Sequence, residues 1–303
     1  MSKTILITGA NGLLGQHLTQ LLTSQNTYNV IATGRGGDRL KEEGYKYLTM
    51  DITDEKMVRD VLQNTQPSII FHCAAISKVE NCEDDHDEAV RQNVTATQTL
   101  LQVGKENGLE HFIYLSTDFV FDGEKGLYEE DDQRNPPNFY GQTKLMSEDL
   151  LLKEKEIKIA IVRTCLVYGQ VKDMSRTNIM TWVKDKLSKG EAIKVVNDQY
   201  RTPTYAGDLA NGCALIAAQG VEGIFHISGK DYLTPYAIAL QVAEYLNLSV
   251  SNILPVTAST FVEHGRRPLK TGFTNNKAYD ILNYQPISFY DGMRKVLGGD
   301  MNR

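Results

Sequence analysis

The stretch "ILITGANGLLGQHL", residues 5–18, passes from an apolar run through a glycine-rich turn into a second apolar pattern with helical spacing. Glycines let the backbone of such a turn approach a pyrophosphate, and the first turn of the following helix offers free N–H groups and the positive end of the helix dipole. A tight turn without a ligand is the alternative, but the strand-turn-helix context favours a dinucleotide site. The residues expected to form it are Gly9, Asn11, Gly12, Leu13 and Gly15.

The first half of the chain repeats this alternation of strand and helix. Six short runs rich in β-branched residues are continuous and apolar, which is typical of strands buried on both faces of a parallel sheet. Amphipathic stretches with helical spacing lie between them. This order predicts an α/β fold with a doubly wound parallel sheet and right-handed crossovers. The predicted strands are residues 4–8, 28–33, 45–50, 68–74, 111–117 and 157–164.

The end of the second strand discriminates between dinucleotides. Sites for NAD usually carry an acidic residue there for the ribose 2′-OH, whereas this chain has Thr33 and Gly34 followed by Arg35. A guanidinium can pair with a 2′-phosphate, although a surface arginine in a glycine-rich loop is the plainer alternative. We therefore predict NADPH as the cofactor, with NADH possible. Further cofactor contacts are expected from Asp51 and Ile52 after the third strand, from Ala74 and Ala75 after the fourth, and from Lys144.

The strand-helix pattern loosens after about residue 168, which predicts a division into two parts. Residues 1–168 would form an NADP-binding domain of the Rossmann type, with residues 205–228 packing back on it. Residues 169–204 and 229–303 would form a smaller C-terminal, substrate-binding lobe. Such a lobe would cover the carboxyl edge of the sheet, because ligands of doubly wound sheets bind at that edge.

Composition excludes several classes of partner. The chain has 303 residues, of which 41% are hydrophobic and 23% charged, as in an ordinary soluble globular protein. A net charge of -6 leaves no basic excess for a nucleic acid or an anionic membrane. No apolar run is long enough for a signal segment or a membrane span. The four cysteines show no disulfide-framework spacing, so we expect a reducing cytoplasm.

One group of residues has to be weighed as a metal site. His72 and Cys73 end an apolar strand, while Cys82 and His86 lie in an acidic helix start. Zinc ligands come as two close pairs that converge tetrahedrally, and this spacing is looser. We expect no metal.

The stretch "QRNPPNFYGQTK" places Tyr140 and Lys144 four positions apart, after a proline pair that suits a helix entry. On a helix the two side chains would share one face. A nearby ammonium favours the phenolate and lowers the tyrosine pKa, which makes a competent general acid-base. With 15 tyrosines the spacing also arises by chance, as at Tyr168 and Lys172, where no helix is expected. We interpret the first pair as catalytic and the second as coincidence.

Taken together, these segments resemble the extended short-chain dehydrogenase/reductases, and the later ones resemble their dTDP-4-dehydrorhamnose reductase branch. The match extends over nearly the whole chain in family order. It rests on "TGANGLLG" (8–15), "DIT" (51–53), "FHCAA" (71–75), "RQNVTAT" (91–97), "YLSTDFVFDG" (114–123), "PPNFYGQTK" (136–144), "VRTCLVYG" (162–169), "NDQYRTPTYAGDLA" (197–210) and "RRPLKTG" (266–272).

The resemblance implies roles for individual residues. Tyr140 matches the family's proton donor, Lys144 its partner lysine, and Thr117 the hydroxyl that orients the substrate carbonyl; Asn93 is the fourth member of the site. The implied reaction is hydride transfer to a ketone carbon while Tyr140 protonates the forming alkoxide. Candidate residues for the sugar or nucleotide are Asp118, Phe119, Arg163, Asp198, Gln199 and Arg266.

Several activities of this superfamily remain to be separated. Nucleotide-sugar dehydratases carry an Asp-Glu pair after the threonine, whereas Thr117 is followed by Asp118 and Phe119. Epimerases usually hold NAD, which Arg35 argues against. Reduction with exchangeable NADPH remains, and the resemblance implies that the substrate is dTDP-4-dehydrorhamnose and the product dTDP-L-rhamnose. Two departures from the family pattern, Phe119 in place of a tyrosine and Arg201 in place of a glycine, either alter the pocket or are tolerated loop variations.

Two alternatives stay open at this stage. Some similar chains are non-catalytic NADP-binding regulatory subunits, like the partner of methionine adenosyltransferase, and such a subunit can keep Thr117, Tyr140 and Lys144. The other alternative is a different nucleotide-sugar reductase or epimerase. A homodimer is possible because it is the common state of soluble enzymes.

Overall fold

The computed structural model describes residues 2–173, 178–261 and 264–298. A sheet of seven parallel strands forms its centre, in the order β3-β2-β1-β4-β5-β6-β10. Its strands are β1 (Thr4–Thr8), β2 (Asn29–Gly34), β3 (Lys46–Thr49), β4 (Ile69–His72), β5 (His111–Thr117), β6 (Lys158–Thr164) and β10 (Gly223–His226). The order reverses direction at β1, which confirms the predicted doubly wound parallel sheet and creates a crevice beyond the carboxyl ends of β1 and β4.

Helices cover both faces of this sheet. One face packs against α1 (Leu13–Ser24), α8 (Ala206–Gln219) and α10 (Asn276–Leu282), and the other against α2 (Glu55–Thr65), α5 (Ala96–Glu106) and α6 (Phe139–Leu151). The remaining helices are α3 (Val79–Asp84), α4 (His86–Val90), α7 (Ile179–Ser188), α9 (Pro235–Tyr245) and α11 (Phe289–Gly298). None of the helices in the described part of the chain has the length and apolar character that crossing a membrane requires.

A third hydrophobic core lies among the C-terminal elements. It joins α7, α9 and α11 to a small sheet of β8 (Ile193–Val196) and β11 (Ile253–Val256). A second small sheet pairs β7 (Val167–Tyr168) with β9 (Thr204–Tyr205). Helix α8 packs with α1 in the first core, and β10 adds to β6, so residues 206–226 lie on the main sheet. The division of the chain into two domains stays a prediction.

Local signals in the sequence explain several helix ends. Asp54 caps α2, its side chain accepting a hydrogen bond from Met57 N, and Thr234 caps α9 ahead of Pro235. Gly108 follows α5 with φ +81°, a left-handed conformation that glycine adopts freely. The helical spacing of apolar residues over 87–108 predicts one continuous helix. The structure instead has a wider π turn at Arg91–Thr95, between α4 and α5.

Candidate active site

The predicted site residues gather at the carboxyl edge of the sheet. Thr8 pairs in register with His72 at the ends of β1 and β4, and Thr117 pairs with Thr164 at the ends of β5 and β6. The glycine turn follows β1 directly. Because parallel strands all end at this edge, segments far apart in sequence converge there.

The glycine turn is packed too tightly for side chains. Gly9 has φ +67°, and a Cβ there would come within 2.8 Å of Ala74 N. A Cβ on Gly15 would lie 2.3 Å from Gly9 O. Helix α1 begins after Gly12 with no side-chain hydrogen bond at its N-cap, so its first N–H groups are available to an anion. This turn fits the pyrophosphate of a dinucleotide.

Asn11 holds the loop that follows β2. Its Nδ2 donates to Gly37 O at 3.0 Å and to the Tyr47 hydroxyl at 2.8 Å, while its Oδ1 accepts from Arg39 N at 3.0 Å. Arg35, at the start of this loop, is exposed. The Asn11 side chain therefore positions the loop that carries Arg35.

The acidic residue after β3 lies in the field of two arginines. Burial raises the pKa of Asp51, but hydrogen bonds from the N–H and hydroxyl of Thr53, together with the charges of Arg35 and Arg91, leave that pKa below its ordinary value. The neighbouring Ile52 is buried. The Arg35 charge thus acts on the region predicted to flank the adenine ring, where a 2′-phosphate would need a cation.

Helix α6 brings Tyr140 and Lys144 to the same edge. Asn138 caps the helix, its side chain accepting a hydrogen bond from Gly141 N at 2.8 Å. The Tyr140 ring is half-buried and meets Phe119 edge-on, with 6.1 Å between ring centroids. Lys144 lies one helical turn further on, on the same face.

Lys144 is 3% exposed, and its Nζ lies 4.0 Å from the centroid of the Tyr114 ring. Burial lowers the pKa of this ammonium to about 7, and the opposing effect of Glu148 does not restore it. A buried lysine with a strongly lowered pKa beside a tyrosine in a crevice is a recognised indication of a functional site.

A buried chain of hydrogen bonds links the glycine turn to the π turn. Ala74 N donates to Thr8 Oγ1 at 3.2 Å, and Thr8 Oγ1 lies 2.8 Å from His72 Nδ1. His72 Nε2 lies 3.0 Å from Thr97 Oγ1, which donates to Asn93 O at 2.6 Å. The Thr97 hydroxyl donates its single proton to Asn93 O, so it must accept a hydrogen bond from His72 Nε2. His72 therefore carries its ring proton on Nε2, and its Nδ1 accepts from the Thr8 hydroxyl. Burial lowers the pKa of His72 to about 3, so the ring is neutral.

Asn93 lies in the π turn and forms hydrogen bonds to two segments, the one after β4 and helix α6. Its side chain accepts from Ile76 N at 2.8 Å and donates to Ile76 O and Thr143 Oγ1, both at 3.0 Å. Its carbonyl also accepts from Ser147 Oγ at 2.9 Å. Asn93 thereby fixes helix α6 against the segment after β4. The structure places it as a support of the Tyr140 helix.

Thr117 and Asp118 begin a buried polar group. Thr117 Oγ1 donates to Asp118 Oδ1 at 3.2 Å and accepts from Phe119 N at 3.3 Å. Asp118 Oδ2 accepts hydrogen bonds from the Thr271 hydroxyl and from Cys165 Sγ. Arg201 Nε lies 3.7 Å from the same oxygen. The Asp118 carboxylate is therefore engaged on both oxygens by the protein itself.

The structure does not bring Arg163 to this group, contrary to the expectation that it contacts substrate. Its guanidinium is fully buried and donates to both oxygens of Glu148, at 3.0 and 2.8 Å. Glu148 also accepts from Ser116 and pairs with Arg134. Arg163 forms a buried structural ion pair with Glu148, so we leave it out of the proposed site.

The other three expected substrate residues differ in placement. Asp198 accepts a hydrogen bond from Ala258 N at 2.8 Å, which ties down the segment after β11. Gln199 is buried, with 8% of its surface exposed. Arg266 is exposed, and its carbonyl accepts from Asn138 Nδ2 at the start of α6. Of the three, Arg266 is anchored next to the helix that carries Tyr140.

The second Tyr-x-x-x-Lys pair is separated by the fold. Tyr168 is buried against Phe289, whereas Lys172 Nζ donates to Leu40 O at 2.9 Å. Within the described residues, no group of three or more His, Cys, Asp or Glu side chains is placed to hold a metal ion. All four cysteines are free thiols.

Comparison with known proteins identifies the family of this chain. The family described as RmlD substrate binding domain matches residues 3–300. The chain belongs to this family. Family membership and the similarity to solved dTDP-4-dehydrorhamnose reductases also place it in the extended short-chain dehydrogenase/reductase superfamily, which confirms the resemblance seen in the sequence.

Individual relatives of this RmlD-family chain carry different names. It is 33% identical to methionine adenosyltransferase 2 subunit beta from Danio rerio, covering 88% of this chain and 81% of the relative. It is 32% identical to the probable low-salt glycan biosynthesis reductase Agl14 from Haloferax volcanii, with 79% of each chain covered. The crystal structure of dTDP-4-dehydrorhamnose reductase from Bacillus anthracis, in complex with NADP, superposes with a TM-score of 0.85, 28% identity, and coverage of 99% of this chain and 100% of that one.

Several residues of the candidate site are missed by sequence reasoning. His72 was considered only as a metal ligand, and Thr8, Thr97 and Thr143 were not considered. Their single-residue identities carry no signal, because their roles arise only when β1, β4, α5 and α6 are packed together.

Proposed function

We propose that this protein is an NADPH-dependent reductase of a nucleotide-linked 4-keto-6-deoxy sugar, with dTDP-4-dehydrorhamnose as substrate and dTDP-L-rhamnose as product. The observation that carries the proposal is the burial of Lys144 one helical turn from Tyr140, at the sheet edge where Thr117 ends β5. The Bacillus anthracis relative, which is named as a reductase of this kind, supports the substrate class.

The residues of this chain divide the work of such a reaction. NADPH, when bound, supplies the hydride. Tyr140 donates the proton to the forming alkoxide, and the ammonium of Lys144 stabilises the phenolate that remains. Thr117 turns its hydroxyl from Asp118 to the substrate oxygen and orients the carbonyl. Asn93 acts through Thr143 and Ser147 to hold the Tyr140 helix in place.

The glycine turn and the loop after β2 are the parts proposed to hold the cofactor. The N-terminus of α1 would take the pyrophosphate, with Gly9, Gly12 and Gly15 allowing close approach. Arg35 would pair with the 2′-phosphate, and its proximity to Asp51 supports this assignment. The proposal accordingly favours NADPH over NADH.

The direct test is an assay of NADPH absorbance with a panel of dTDP-, UDP- and GDP-linked keto sugars. Turnover with the dTDP-4-keto-6-deoxy sugar supports the proposal, and turnover with another member of the panel reassigns the substrate within the same class. Tight NADPH binding with no turnover on any member contradicts the reductase function. Thermal stabilisation by the same ligands provides a readout that does not require chemistry.

A second function is favoured by a specific observation. The Danio rerio relative is named as the beta subunit of methionine adenosyltransferase 2 and matches 88% of this chain. The alternative is therefore a regulatory NADP-binding subunit of a methionine adenosyltransferase. Co-purification of this chain with that enzyme's catalytic subunit, combined with absence of turnover in the sugar panel, would establish it. Turnover without complex formation would exclude it.

A further inference from the structure

Arg201 stands at the centre of contacts between two segments that border the proposed site. We call residues 264–272 the strap. Arg201 is 6% exposed, and its Nη1 and Nη2 donate to the strap carbonyls of Leu269 and Pro268 at 3.1 and 2.6 Å. Its Nη1 also donates to Tyr200 O at 2.7 Å. The guanidinium therefore binds backbone oxygens in a fork that only a planar group with several donors can form.

The opposite side of the same guanidinium is directed to Asp118. Arg201 Nε lies 3.7 Å from Asp118 Oδ2, and its guanidinium carbon lies 5.8 Å from the centroid of the Phe119 ring. The strap residue Thr271 donates to the same carboxylate oxygen. Asp118 follows Thr117 directly, so strap, arginine and carboxylate form one connected unit next to the residue proposed to orient the substrate.

The strap is also fastened to the Tyr140 helix and to α3. Asn138 Nδ2, at the cap of α6, donates to Arg266 O at 2.8 Å. Arg267 pairs with Glu80, and His264 lies 2.8 Å from Asp84. These contacts lie at exposed or partly exposed positions and contribute little individually. At the strap's other end, the buried contacts of Arg201 act together with backbone hydrogen bonds from Lys270 N to Gly123 O and from Thr271 N to Tyr200 O.

We infer that Arg201 is a positioning residue that holds the strap against Asp118. It thereby shapes the side of the site that would face the nucleotide sugar, and it does not itself bind an anionic ligand. This inference rests on the proposed function. Direct binding is disfavoured because the nitrogens of Arg201 already face three carbonyls and a carboxylate, in a position closed to solvent. The consequence is that nucleotide-sugar binding depends on Arg201, whereas cofactor binding does not.

The test measures hydrogen exchange of the strap in the full-length protein. Lys270 N donates to Gly123 O and Thr271 N to Tyr200 O, so these amides exchange only when the strap opens. In Arg201→Gln we expect peptides covering the strap to exchange at least about tenfold faster, while strand β5 keeps its protection. Arg201→Lys keeps the charge near Asp118 but loses the fork, and is expected to restore protection only in part. Arg294→Gln, at an exposed position on α11, is the matched control.

Ligand binding to the same variants separates positioning from general destabilisation. We expect the affinity for dTDP to fall by about tenfold or more in Arg201→Gln, with the affinity for NADPH unchanged. Unchanged strap exchange, or equal losses for both ligands, would overturn the inference. If Arg201→Gln does not fold, Thr271→Val removes the strap's hydrogen bond to Asp118 and is measured in the same way. Failure of the wild-type protein to bind dTDP would count against the proposed function alone, since exchange needs no ligand.

Discussion

The lysine of the candidate site is almost fully removed from water, as are Arg163 and Arg201 among the other cations that the structure describes. Its nearest acid along α6, Glu148, is already bound by Arg163, Arg134 and Ser116. Burial therefore lowers the pKa of Lys144 to about 7, because no ion pair with a carboxylate among the described residues offsets the loss of water. A phenolate at Tyr140 would supply the missing negative charge during catalysis.

The lowered pKa predicts a pH dependence of stability. Between about pH 7 and 10.5 the unfolded chain holds the Lys144 proton and the folded chain does not, so the stability contribution of this residue rises with pH across that window. Lys144→Met should abolish this rise, which amounts to at most about 1.4 kcal/mol per pH unit. Urea unfolding of both proteins at several pH values measures it. Parallel stability curves for the two proteins would contradict the assigned shift.

The tyrosine gives a sharper prediction for catalysis. Tyr140→Phe removes only the hydroxyl, so we expect kcat to fall by about 10²–10⁴-fold with NADPH affinity retained. Tyr168→Phe is the matched control, because Tyr168 belongs to the other Tyr-x-x-x-Lys pair and is packed against Phe289. Steady-state kinetics and a fluorescence titration provide the two measurements. An active Tyr140→Phe variant would remove the tyrosine from the proposed mechanism.

At the scale of elements, the site depends on how two helices begin and on how one is interrupted. Helix α1 starts without a side-chain cap, and α6 starts with the Asn138 cap. The π turn places Asn93 where its side chain and its carbonyl both reach α6. π turns occur frequently at functional sites, since the extra residue in the turn redirects backbone groups.

The glycine turn makes a prediction at this scale. Gly15→Ala would force a Cβ to 2.3 Å from Gly9 O and 2.6 Å from Ala10 Cα, so the turn and α1 must shift. We expect a loss of about 1–3 kcal/mol in the free energy of unfolding, together with weaker NADPH binding. Gly298→Ala, at the end of α11, is the control, because its added Cβ would meet only the Tyr245 hydroxyl, at an ordinary contact distance of 3.5 Å. Equal behaviour of the two variants in thermal unfolding and NADPH titration would argue against a tight turn.

At the scale of the whole molecule, the chain passes repeatedly between its hydrophobic cores. It leaves the sheet after β6, returns for α8 and β10, leaves for α9, and returns for α10 before ending in α11. A core that is connected so often cannot unfold without disturbing its neighbour. The two predicted domains should therefore behave as one cooperative unit.

The single tryptophan makes this cooperativity measurable. Trp182 packs at the edge of the C-terminal core, whereas the glycine turn belongs to the main sheet. We expect Trp182 fluorescence and far-ultraviolet circular dichroism to report one transition, and NADPH at 100 times its Kd to stabilise both by about 2.7 kcal/mol. Two transitions, of which NADPH shifts only the dichroism, would show that the domains unfold independently.

The sequence by itself determined the architecture and the position of the proposed chemistry. The doubly wound sheet, the glycine turn and the α6 helix with Tyr140 and Lys144 follow from periodicity and from spacing within short segments, and these are local properties that a linear pattern records. Helix caps such as Asp54 and Thr234 are local signals of the same kind. Residue roles inferred from the resemblance were predicted less well. Arg163 matches the family motif and was expected to contact substrate, but the motif does not reveal that this arginine is paired with Glu148.

Only the tertiary structure decided what the buried polar groups do. The hydrogen-bond chain through His72 joins residues from β1, β4 and α5, and the Arg201 group joins residues up to 153 positions apart, as in the Thr271–Asp118 contact. Such partners are selected by the requirement that each buried donor and acceptor be satisfied. That requirement acts in three dimensions after packing, so no spacing in the sequence expresses it.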